Sequence, residues 1–250
     1  MSQLAKLLPI TLIQGNSVEI LKQFPDDTVD CVVTDPPYLS LHRNSWIPKS
    51  RSEWLFRGSN YEHRGKVEQI LIECRRILRN NTAIYVFSDD TNLDFYLSVI
   101  KEHFQFKNVL VWKKNNWSSG DLRYSYGKQC EFIVYANKGK RKLNEIGGHQ
   151  RHISILEYPR IPPKQRLYPF QKPLNLITWF LMVSTDAGDI VLDPFMGSAT
   201  VGEACQNLNR QFIGIDNDAD TFDIACARLP EAEIIKDFTE KPSFTKRWKK

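Results

Sequence analysis

Asp35, Pro36, Pro37 and Tyr38 combine one carboxylate with one aromatic ring in a stiff turn that follows an apolar run. In an open α/β sheet, ligands bind at the carboxyl ends of the strands, so this turn stands where chemistry is placed. A residue before proline is extended and proline has no N–H, so the turn presents mostly hydrogen-bond acceptors. We therefore expect it to bind a donor.

The exocyclic amino group of a nucleobase is such a donor, because it carries two hydrogens in the base plane. The Asp35 carboxylate and the Pro36 carbonyl would accept one hydrogen each. Both would stabilise the positive charge that develops on an amino nitrogen as it attacks an electrophile. Tyr38 would stack on an extruded base, a contact worth about 1–3 kcal/mol. On the tetrapeptide alone, a structural turn with a packed tyrosine remains an open alternative.

A second turn, DPFMGSAT at residues 193–200, repeats the order of strand, acid, proline and aromatic residue before a helix. Gly197 permits close backbone approach, and Ser198 or Thr200 can cap the helix whose N–H groups face an anionic group. Asp216 ends the next strand, about 20 residues downstream, where an acid accepts hydrogen bonds from ribose hydroxyls. Together these residues predict a nucleoside pocket. Neither G-x-G-x-x-G nor a P-loop is present.

Apolar runs typical of strands alternate with segments of helical period, which predicts an α/β fold with a doubly wound, mostly parallel sheet. Seven strands are predicted, at residues 10–15, 29–35, 83–88, 108–114, 130–137, 189–195 and 211–216. Helices are predicted at residues 17–24, 67–78, 92–103, 174–185, 200–208 and 220–229. The chain of 250 residues is expected to form a single domain.

Two stretches do not fit this alternation. Residues 39–66 are too long and too polar for an ordinary loop and are predicted to be an inserted loop. Residues 138–169 are basic, with a Gly-Gly pair and several prolines, and are predicted to be an inserted recognition segment. The basic tail, residues 241–250, is expected to be disordered.

Charge is unevenly distributed along the chain. The net charge is +5, yet residues 107–172 carry +10 and residues 39–66 carry +4, which leaves −9 elsewhere. This pattern favours an enzyme core with a surface that faces a polyanion, although a solvated basic face remains open. The five cysteines lack C-x-x-C spacing and predict reduced thiols and no metal site. No signal peptide or membrane span is evident, so a cytoplasmic protein is expected.

The motifs TDPPY at 34–38, QKP at 171–173, DPFMGSAT at 193–200 and FIGIDND at 212–218 resemble those of the β class of amino-methylating DNA methyltransferases. In that family the catalytic motif precedes the cofactor motif, and this chain has the same permuted order. The similarity covers most of residues 10–229. It implies a Rossmann-like class I methyltransferase fold, S-adenosyl-L-methionine as cofactor and double-stranded DNA as substrate.

The resemblance also implies roles for individual residues. The target-base site would consist of Asp35, Pro36, Pro37 and Tyr38. The cofactor-binding residues would be Asn16, Asp35, Lys172, Asp193, Phe195, Gly197, Ser198, Thr200, Asp216 and Asn217. Within this set, Phe195 would face the sulfonium, because a cation is attracted to an aromatic ring. Lys172 would either bind the cofactor carboxylate or be an ordinary basic residue before a helix.

The sequence departs from the family pattern at three places, the last of which involves two residues. Asn16 stands where the family usually has an acid near the cofactor adenine, and Ala199 replaces the second glycine of a G-S-G turn. The methyl group of Ala199 is expected close to the cofactor. Tyr168 and Phe170 replace a histidine and a threonine before QKP. These changes bear on cofactor affinity and leave the reaction type intact.

The expected reaction is direct transfer of the methyl group to the amino nitrogen of a flipped base. Asp35 at the first motif position resembles the adenine-N6 enzymes, and cytosine-N4 methylation or an inactive DNA-binding homologue is the alternative. DNA contacts are predicted for Arg43, Lys49, Arg51, Lys113, Lys114, Arg123, Lys138, Lys140, Arg141, Lys142 and Arg151. A second copy of the chain and a cognate restriction endonuclease are further partners that the resemblance leaves open.

Overall fold

The computed structural model describes residues 10–37, 60–117, 122–148, 151–236 and 238. They contain nine strands: β1 (Ile10–Gln14), β2 (Val29–Thr34), β3 (Leu78–Ser88), β4 (Gln105–Lys113), β5 (Cys130–Lys138), β6 (Ile155–Glu157), β7 (Ile190–Asp193), β8 (Gln211–Asp216) and β9 (Glu233–Ile235). The helices are α1 (Ser17–Leu21), α2 (Asn60–Ile77), α3 (Leu93–His103), α4 (Leu174–Ser184), α5 (Thr200–Asn207) and α6 (Ala219–Arg228).

The strands form one mostly parallel sheet in the order β6-β4-β5-β3-β2-β7-β8-β1-β9. Strand β5 is antiparallel to both β3 and β4, and the other pairs are parallel. All seven predicted strands are present. The predicted number was too small, because β6 and β9 are three-residue strands at the two edges, and such short segments carry no visible alternation.

Helices cover both faces of the sheet, as a doubly wound fold requires. One face packs against α1, α2 and α3, with Val18, Leu71 and Ile100 in its core. The other packs against α4, α5 and α6, with Phe180 and Phe222 in its core. Both faces of the central strands are therefore apolar, which explains why these strands read as nearly continuous apolar runs in the sequence.

The chain leaves β2 toward β3 and leaves β7 toward β8, although β2 and β7 are neighbours in the sheet. This reversal is the topological switch point of a doubly wound sheet, where a crevice opens beyond the carboxyl ends of the strands. Both turns singled out in the sequence follow these two strands. The fold therefore brings residues more than 150 positions apart to one crevice, as the bond between Thr34 and Asp193 shows directly.

The predicted boundary between the inserted loop and the following helix changes. The inserted loop was predicted to extend to residue 66, but α2 begins at Asn60, so its last residues belong to a helix. Residues 39–59 of that loop and the tail 241–250 lie outside the described residues. All five cysteines are free thiols, as predicted. Within the described part of the chain, none of the helices combines the length and apolar character needed to span a bilayer.

Candidate active site

A cleft opens at the switch point and is lined by both turns. Its lining residues are Ser17, Val33, Thr34, Asp35, Pro36, Pro37, Phe87, Trp112, Glu131, Arg160, Tyr168, Pro169, Phe170, Gln171, Lys172, Ile177, Asp193, Pro194, Phe195, Met196, Gly197, Ser198, Thr200, Val201, Asp216, Asn217 and Asp218. Every predicted cofactor-binding residue except Asn16 is in this set. Tyr38 lies outside the described residues, so the aromatic member of the first turn has no described position.

Asp193 is a buried carboxylate at the end of β7. Its Oδ1 accepts hydrogen bonds from Thr34 Oγ1 at 2.9 Å and from the Phe195 N–H at 3.0 Å. Burial raises the pKa of Asp193 to about 8, against the lowering effect of these two bonds and with a further increase from Asp35 and Asp216. Because both bonds fall on Oδ1, Oδ2 has capacity for a positively charged group in the cleft.

The glycine turn is held by Asp216 from the neighbouring strand β8. Asp216 Oδ2 accepts from the Gly197 N–H at 2.9 Å, and Oδ1 accepts from the Asp218 N–H at 2.9 Å. Gly197 has φ +53°, a left-handed conformation that glycine adopts without strain. The turn therefore presents backbone groups and one carboxylate to the cleft in a fixed geometry.

Ala199 corrects two expectations about this turn. It is fully buried in the core and does not line the cleft, so its methyl group does not approach a ligand there. Its backbone is left-handed, with φ +55° and ψ +40°, and it is the N-cap of α5 without a side-chain capping bond. Neither Ser198 nor Thr200 caps this helix, contrary to the prediction.

Arg228, a residue that the sequence analysis missed, ties the turn to the end of α6. Its Nη1 donates to Ser198 O at 3.0 Å and to Thr200 Oγ1 at 3.0 Å, and its Nε pairs with Glu203. The Thr200 hydroxyl is therefore oriented by an arginine. Nothing in the local sequence points to this contact, because Arg228 is far from the turn along the chain.

Asn16 has a local structural role. It is exposed, and its Oδ1 accepts from the Val18 N–H at 3.0 Å and so caps α1. The next residue, Ser17, lines the cleft and donates from Oγ to the Pro194 carbonyl at 2.6 Å. Asn16 itself is not among the residues that line the cleft, so its contact with the cofactor adenine stays a prediction.

The Asp35 end of the cleft contains a chain of four alternating charges. Lys172 Nζ lies 2.5 Å from Asp35 Oδ2 and 3.0 Å from Glu131 Oε2. Lys114 Nζ lies 2.8 Å from the other oxygen, Glu131 Oε1. Lys172 is thus bound to the turn that contains Asp35, which the sequence did not indicate.

The ionisation of this chain follows from its pairing. Burial alone would raise the pKa of Glu131, but Lys172 and Lys114 outweigh it and lower that pKa to about 2. Burial would likewise lower the pKa of Lys172, yet Asp35 and Glu131 raise it above its usual value. Glu131 is therefore a carboxylate and Lys172 an ammonium throughout the neutral pH range.

Aromatic side chains form one wall of the same end of the cleft. Phe87 is the penultimate residue of β3, Trp112 is the penultimate residue of β4, and Tyr168 and Phe170 precede Lys172. The Tyr168 and Phe170 ring centroids are 5.6 Å apart, and the Lys172 ammonium lies 5.0 Å from the centroid of Phe87. Phe87 and Trp112 were missed, although their positions at strand ends are a signal that sequence reasoning can use.

The basic residues that were predicted to contact DNA do not all lie near the cleft. Lys113 and Arg123 are exposed at the carboxyl edge of the sheet, where the cleft opens, and Arg151 is exposed before β6. Because β5 is antiparallel, Lys138 at its end lies at the opposite, amino edge. Lys140, Arg141 and Lys142 follow Lys138 and are also remote from the cleft. Arg43, Lys49 and Arg51 lie outside the described residues.

Two of these predictions need correction. Lys138 is buried, and its ammonium binds Asp27 Oδ1 at 2.8 Å and the Leu78 carbonyl at 2.5 Å, which are structural contacts. Lys114 is buried and paired with Glu131, so it belongs to the charge chain of the cleft and is not placed on a phosphate-facing surface.

Comparisons with known proteins agree with this geometry. Residues 29–226 match the N6/N4 methyltransferase family model, described as DNA methylase. The chain is 26% identical to the Type II methyltransferase M2.MboI of Moraxella bovis, over 92% of each chain. It is also 26% identical to the DNA adenine methyltransferase YhdJ of Escherichia coli K12, over 89% of this chain and 83% of that protein.

A solved structure of M1.HpyAVI in complex with SAM superposes with a TM-score of 0.68 and 26% identity, over 88% of this chain and 98% of the other. The predicted doubly wound class I methyltransferase fold is thereby confirmed. Since the family model spans most of the sequence and includes both turns of the cleft, the chain belongs to the N6/N4 DNA methylase family.

Proposed function

We propose that this protein transfers a methyl group from S-adenosyl-L-methionine to the N6 amino group of adenine in double-stranded DNA. The observation that carries the proposal is the meeting of two turns at neighbouring strands: Asp35 after β2 and Asp193 at the end of β7 line one cleft. Relatives named as a DNA adenine methyltransferase and as a SAM complex support the base and the cofactor.

The Asp193 half of the cleft fits the cofactor. A buried carboxylate with one oxygen left for a ligand suits the methionine ammonium, which would also favour the ionised form of Asp193. Asp216 already orders the glycine turn, and the remaining lone pairs of its oxygens suit ribose hydroxyls. Phe195 lines the cleft between these acids and suits a cationic sulfur. The cofactor, when bound, supplies an electrophilic methyl group.

The roles of Lys172 and Asn16 toward the cofactor are proposed in a narrower form. Lys172 is engaged with Asp35 and Glu131, so its proposed role is to hold the target-base turn, with any contact to the cofactor carboxylate secondary. Asn16 is proposed to act through its cap on α1, which positions Ser17 at the wall of the cleft. Neither role requires the residue to touch the reacting atoms.

The Asp35 half of the cleft fits a flipped base. A carboxylate oxygen of Asp35 and the Pro36 carbonyl would accept the two amino hydrogens, and the amino nitrogen would attack the methyl group in line. Phe170, which is 39% exposed, offers apolar surface for the extruded ring, and the buried side chains of Phe87 and Trp112 support the same wall of the cleft. Contact with this wall offsets the few kcal/mol that unstacking costs. As the N–C bond forms, the bond between the methyl carbon and the cofactor sulfur would break and leave a neutral thioether. The methylated nitrogen would then carry a positive charge and be strongly acidic, so it would lose one proton to water.

The surface around the cleft mouth supplies the proposed contact with the DNA backbone. Arg160 lines the cleft, and Lys113 and Arg123 are exposed at the same edge of the sheet. We propose that base recognition involves the later part of segment 138–169. Strand β6 pairs with the last residues of β4, so β6 and the residues after it lie toward the carboxyl edge of the sheet, whereas residues 138–142 lie at the amino edge. Phosphate contacts of this kind make binding strongly dependent on salt.

The proposal is tested in cells that lack their own adenine methylation. The protein and its Asp35→Ala variant are expressed, and genomic DNA is sequenced with detection of modified bases. We expect N6-methyladenine at a defined sequence with the parent protein and none with the variant. Modified cytosine, or methylation retained by the variant, would overturn the assigned base or the assigned role of Asp35. Absence of methylation together with absence of cofactor binding by calorimetry would favour an inactive homologue.

A further inference from the structure

We propose that Glu131 and Lys114 are positioning residues of the reaction, which act through Lys172 to fix the Asp35 carboxylate and to keep the local charge balanced beside the reacting amine. This inference rests on the proposed methyl transfer. Neither residue lies in the two motif turns, and they reach Asp35 only through the ammonium of Lys172.

The geometry of the chain supports a positioning role. Each oxygen of Glu131 contacts a different lysine, Oε1 at 2.8 Å from Lys114 and Oε2 at 3.0 Å from Lys172. The side chains of both lysines are only 10% exposed, and that of Glu131 is 17% exposed. A carboxylate that bridges two buried ammonium groups has one orientation, and that orientation sets where Lys172 meets Asp35.

The charges alternate in sign along the chain, so each buried charge lies beside an opposite one. As the amine attacks the methyl group, positive charge develops on its nitrogen, and an ammonium paired with Asp35 alone would oppose that charge. Because Lys172 is shared between Asp35 and Glu131, Asp35 is not its only counter-ion and retains capacity as an acceptor. Lys114 is the second counter-ion of Glu131, and the four charges of Lys114, Glu131, Lys172 and Asp35 sum to zero.

A neighbouring ion pair shows what an ordinary contact in the same region looks like. Lys113 Nζ lies 3.0 Å from Glu157 Oε1, but these side chains are 49% and 68% exposed. Exposed pairs contribute little, because solvent screens them. Lys113 and Lys114 are adjacent in sequence, yet only the buried lysine belongs to a chain that reaches the cleft. The exposed pair is therefore an ordinary surface contact, from which the buried chain differs in its low exposure.

Single-turnover methylation of duplex DNA at saturating cofactor, followed across pH, tests the inference. Glu131→Gln keeps the shape of the side chain and should lower the rate constant on the order of 10²-fold, because a misplaced Asp35 no longer meets the amine. Affinity for the cofactor should change little. The excess positive charge should also move the acid limb of the rate profile to lower pH.

Lys114→Gln should move the acid limb in the opposite direction, to higher pH. Loss of the Lys114 ammonium leaves more negative charge near Asp35, which favours protonation of that carboxylate. The double variant Lys114→Gln with Glu131→Gln restores the zero sum, so its acid limb should return close to that of the parent protein. A purely structural role predicts no opposite shifts and no compensation. Asp193 and Tyr96, whose pKa values are raised in part by Asp35, are unchanged in all variants.

The control variant Asp223→Asn removes an exposed ion pair with Lys236 that belongs neither to the cleft nor to the proposed DNA-facing surface, and it should retain the rate and the pH profile of the parent protein. If Glu131→Gln does not fold, as judged by thermal melting, the Lys114→Gln profile alone decides. Parent-like rates and profiles in the Glu131 and Lys114 variants would overturn the inference and leave the proposed methyl transfer standing. A parent protein that binds the cofactor but transfers no methyl group would instead refute the proposed function.

Discussion

Two buried lysines at opposite edges of the sheet show how similar side chains serve different ends. Lys172 and Lys138 are each 9% exposed. At the amino edge, the Lys138 ammonium binds the Leu78 carbonyl at 2.5 Å and the Arg76 carbonyl at 3.3 Å, together with Asp27. At the carboxyl edge, Lys172 binds two carboxylates beside an open cleft.

The choice of acceptors distinguishes the two sites. Lys138 donates to the carbonyl groups of Arg76 and Leu78, at and just past the end of α2, so its contribution is to folding. Lys172 brings two acidic groups into a poorly solvated site, an arrangement that folding alone does not require. If the proposed function holds, the paired charges at the carboxyl edge serve the reaction, whereas the Lys138 contacts with two carbonyl groups and Asp27 at the amino edge stabilise the fold.

The largest expected effect comes from replacing each lysine by methionine. Lys172→Met should lower the methyl-transfer rate on the order of 10²-fold, because Asp35 loses the contact that orients it. Lys138→Met should lower the free energy of unfolding by about 1–3 kcal/mol, because buried acceptors lose their donor, and should leave the rate per folded molecule unchanged. Rates and denaturant unfolding of both variants test this contrast. A reversed pattern would remove the distinction between the two edges.

Two aspartates extend the comparison to cofactor binding. Asp30 at the amino edge has both oxygens occupied, by Arg79 Nη1 at 2.5 Å and by the Ile190 N–H at 2.9 Å. Asp193 has one oxygen left for a ligand and a pKa raised to about 8. A bound ammonium would lower that pKa, so binding releases a proton below pH 8. Affinity for S-adenosyl-L-methionine should then increase with pH, by up to about tenfold per unit.

Calorimetric titrations between about pH 6 and 7.5 check this dependence, since the cofactor ammonium stays protonated in that window. Asp193→Asn should weaken binding and remove the pH dependence. Asp30→Asn is the matched control and should lower thermal stability without altering that dependence. Cofactor affinity that is independent of pH in the parent protein would show that Asp193 is already ionised in the empty cleft.

The smallest expected effect sharpens the same comparison within one turn, because Ala199 faces the core whereas its neighbours face the cleft. Ala199→Gly relieves a left-handed backbone that costs about 1–2 kcal/mol. It also removes a buried methyl group worth about 0.8 kcal/mol and frees the unfolded chain by about 0.4–1 kcal/mol. Melting temperature and cofactor affinity should therefore both stay close to the parent values. Substantially tighter cofactor binding would place the methyl group in the cleft after all.

The direction of one strand explains most of what sequence reasoning missed. The apolar runs predicted the strands, and the two acid-proline turns predicted the residues that meet at the switch point. The sequence carries no signal for the antiparallel direction of β5. That reversal brings Glu131, near its start, to the cleft and carries Lys138, at its end, to the far edge. Both the omission of Glu131 and the misplacement of Lys138 follow from this single fact.

Long-range side-chain contacts were the second thing the sequence could not supply. The pairing of Lys172 with Asp35 joins residues far apart along the chain, and the clamp from Arg228 to Ser198 does the same. Such contacts depend on how the elements pack, which periodicity does not encode. The residue types were nevertheless informative, because the QKP motif alone singles out Lys172 as a site residue, although it does not indicate that Asp35 is its partner.

Methyl transfer from isotopically labelled S-adenosyl-L-methionine to duplex DNA by the purified protein tests the central claim most directly. The DNA is digested to nucleosides, and the labelled product is identified by mass spectrometry. The account predicts labelled N6-methyladenine and no other labelled nucleoside. Label in N4-methylcytosine would contradict the assigned base, and cofactor binding without any transfer to DNA would contradict the account as a whole.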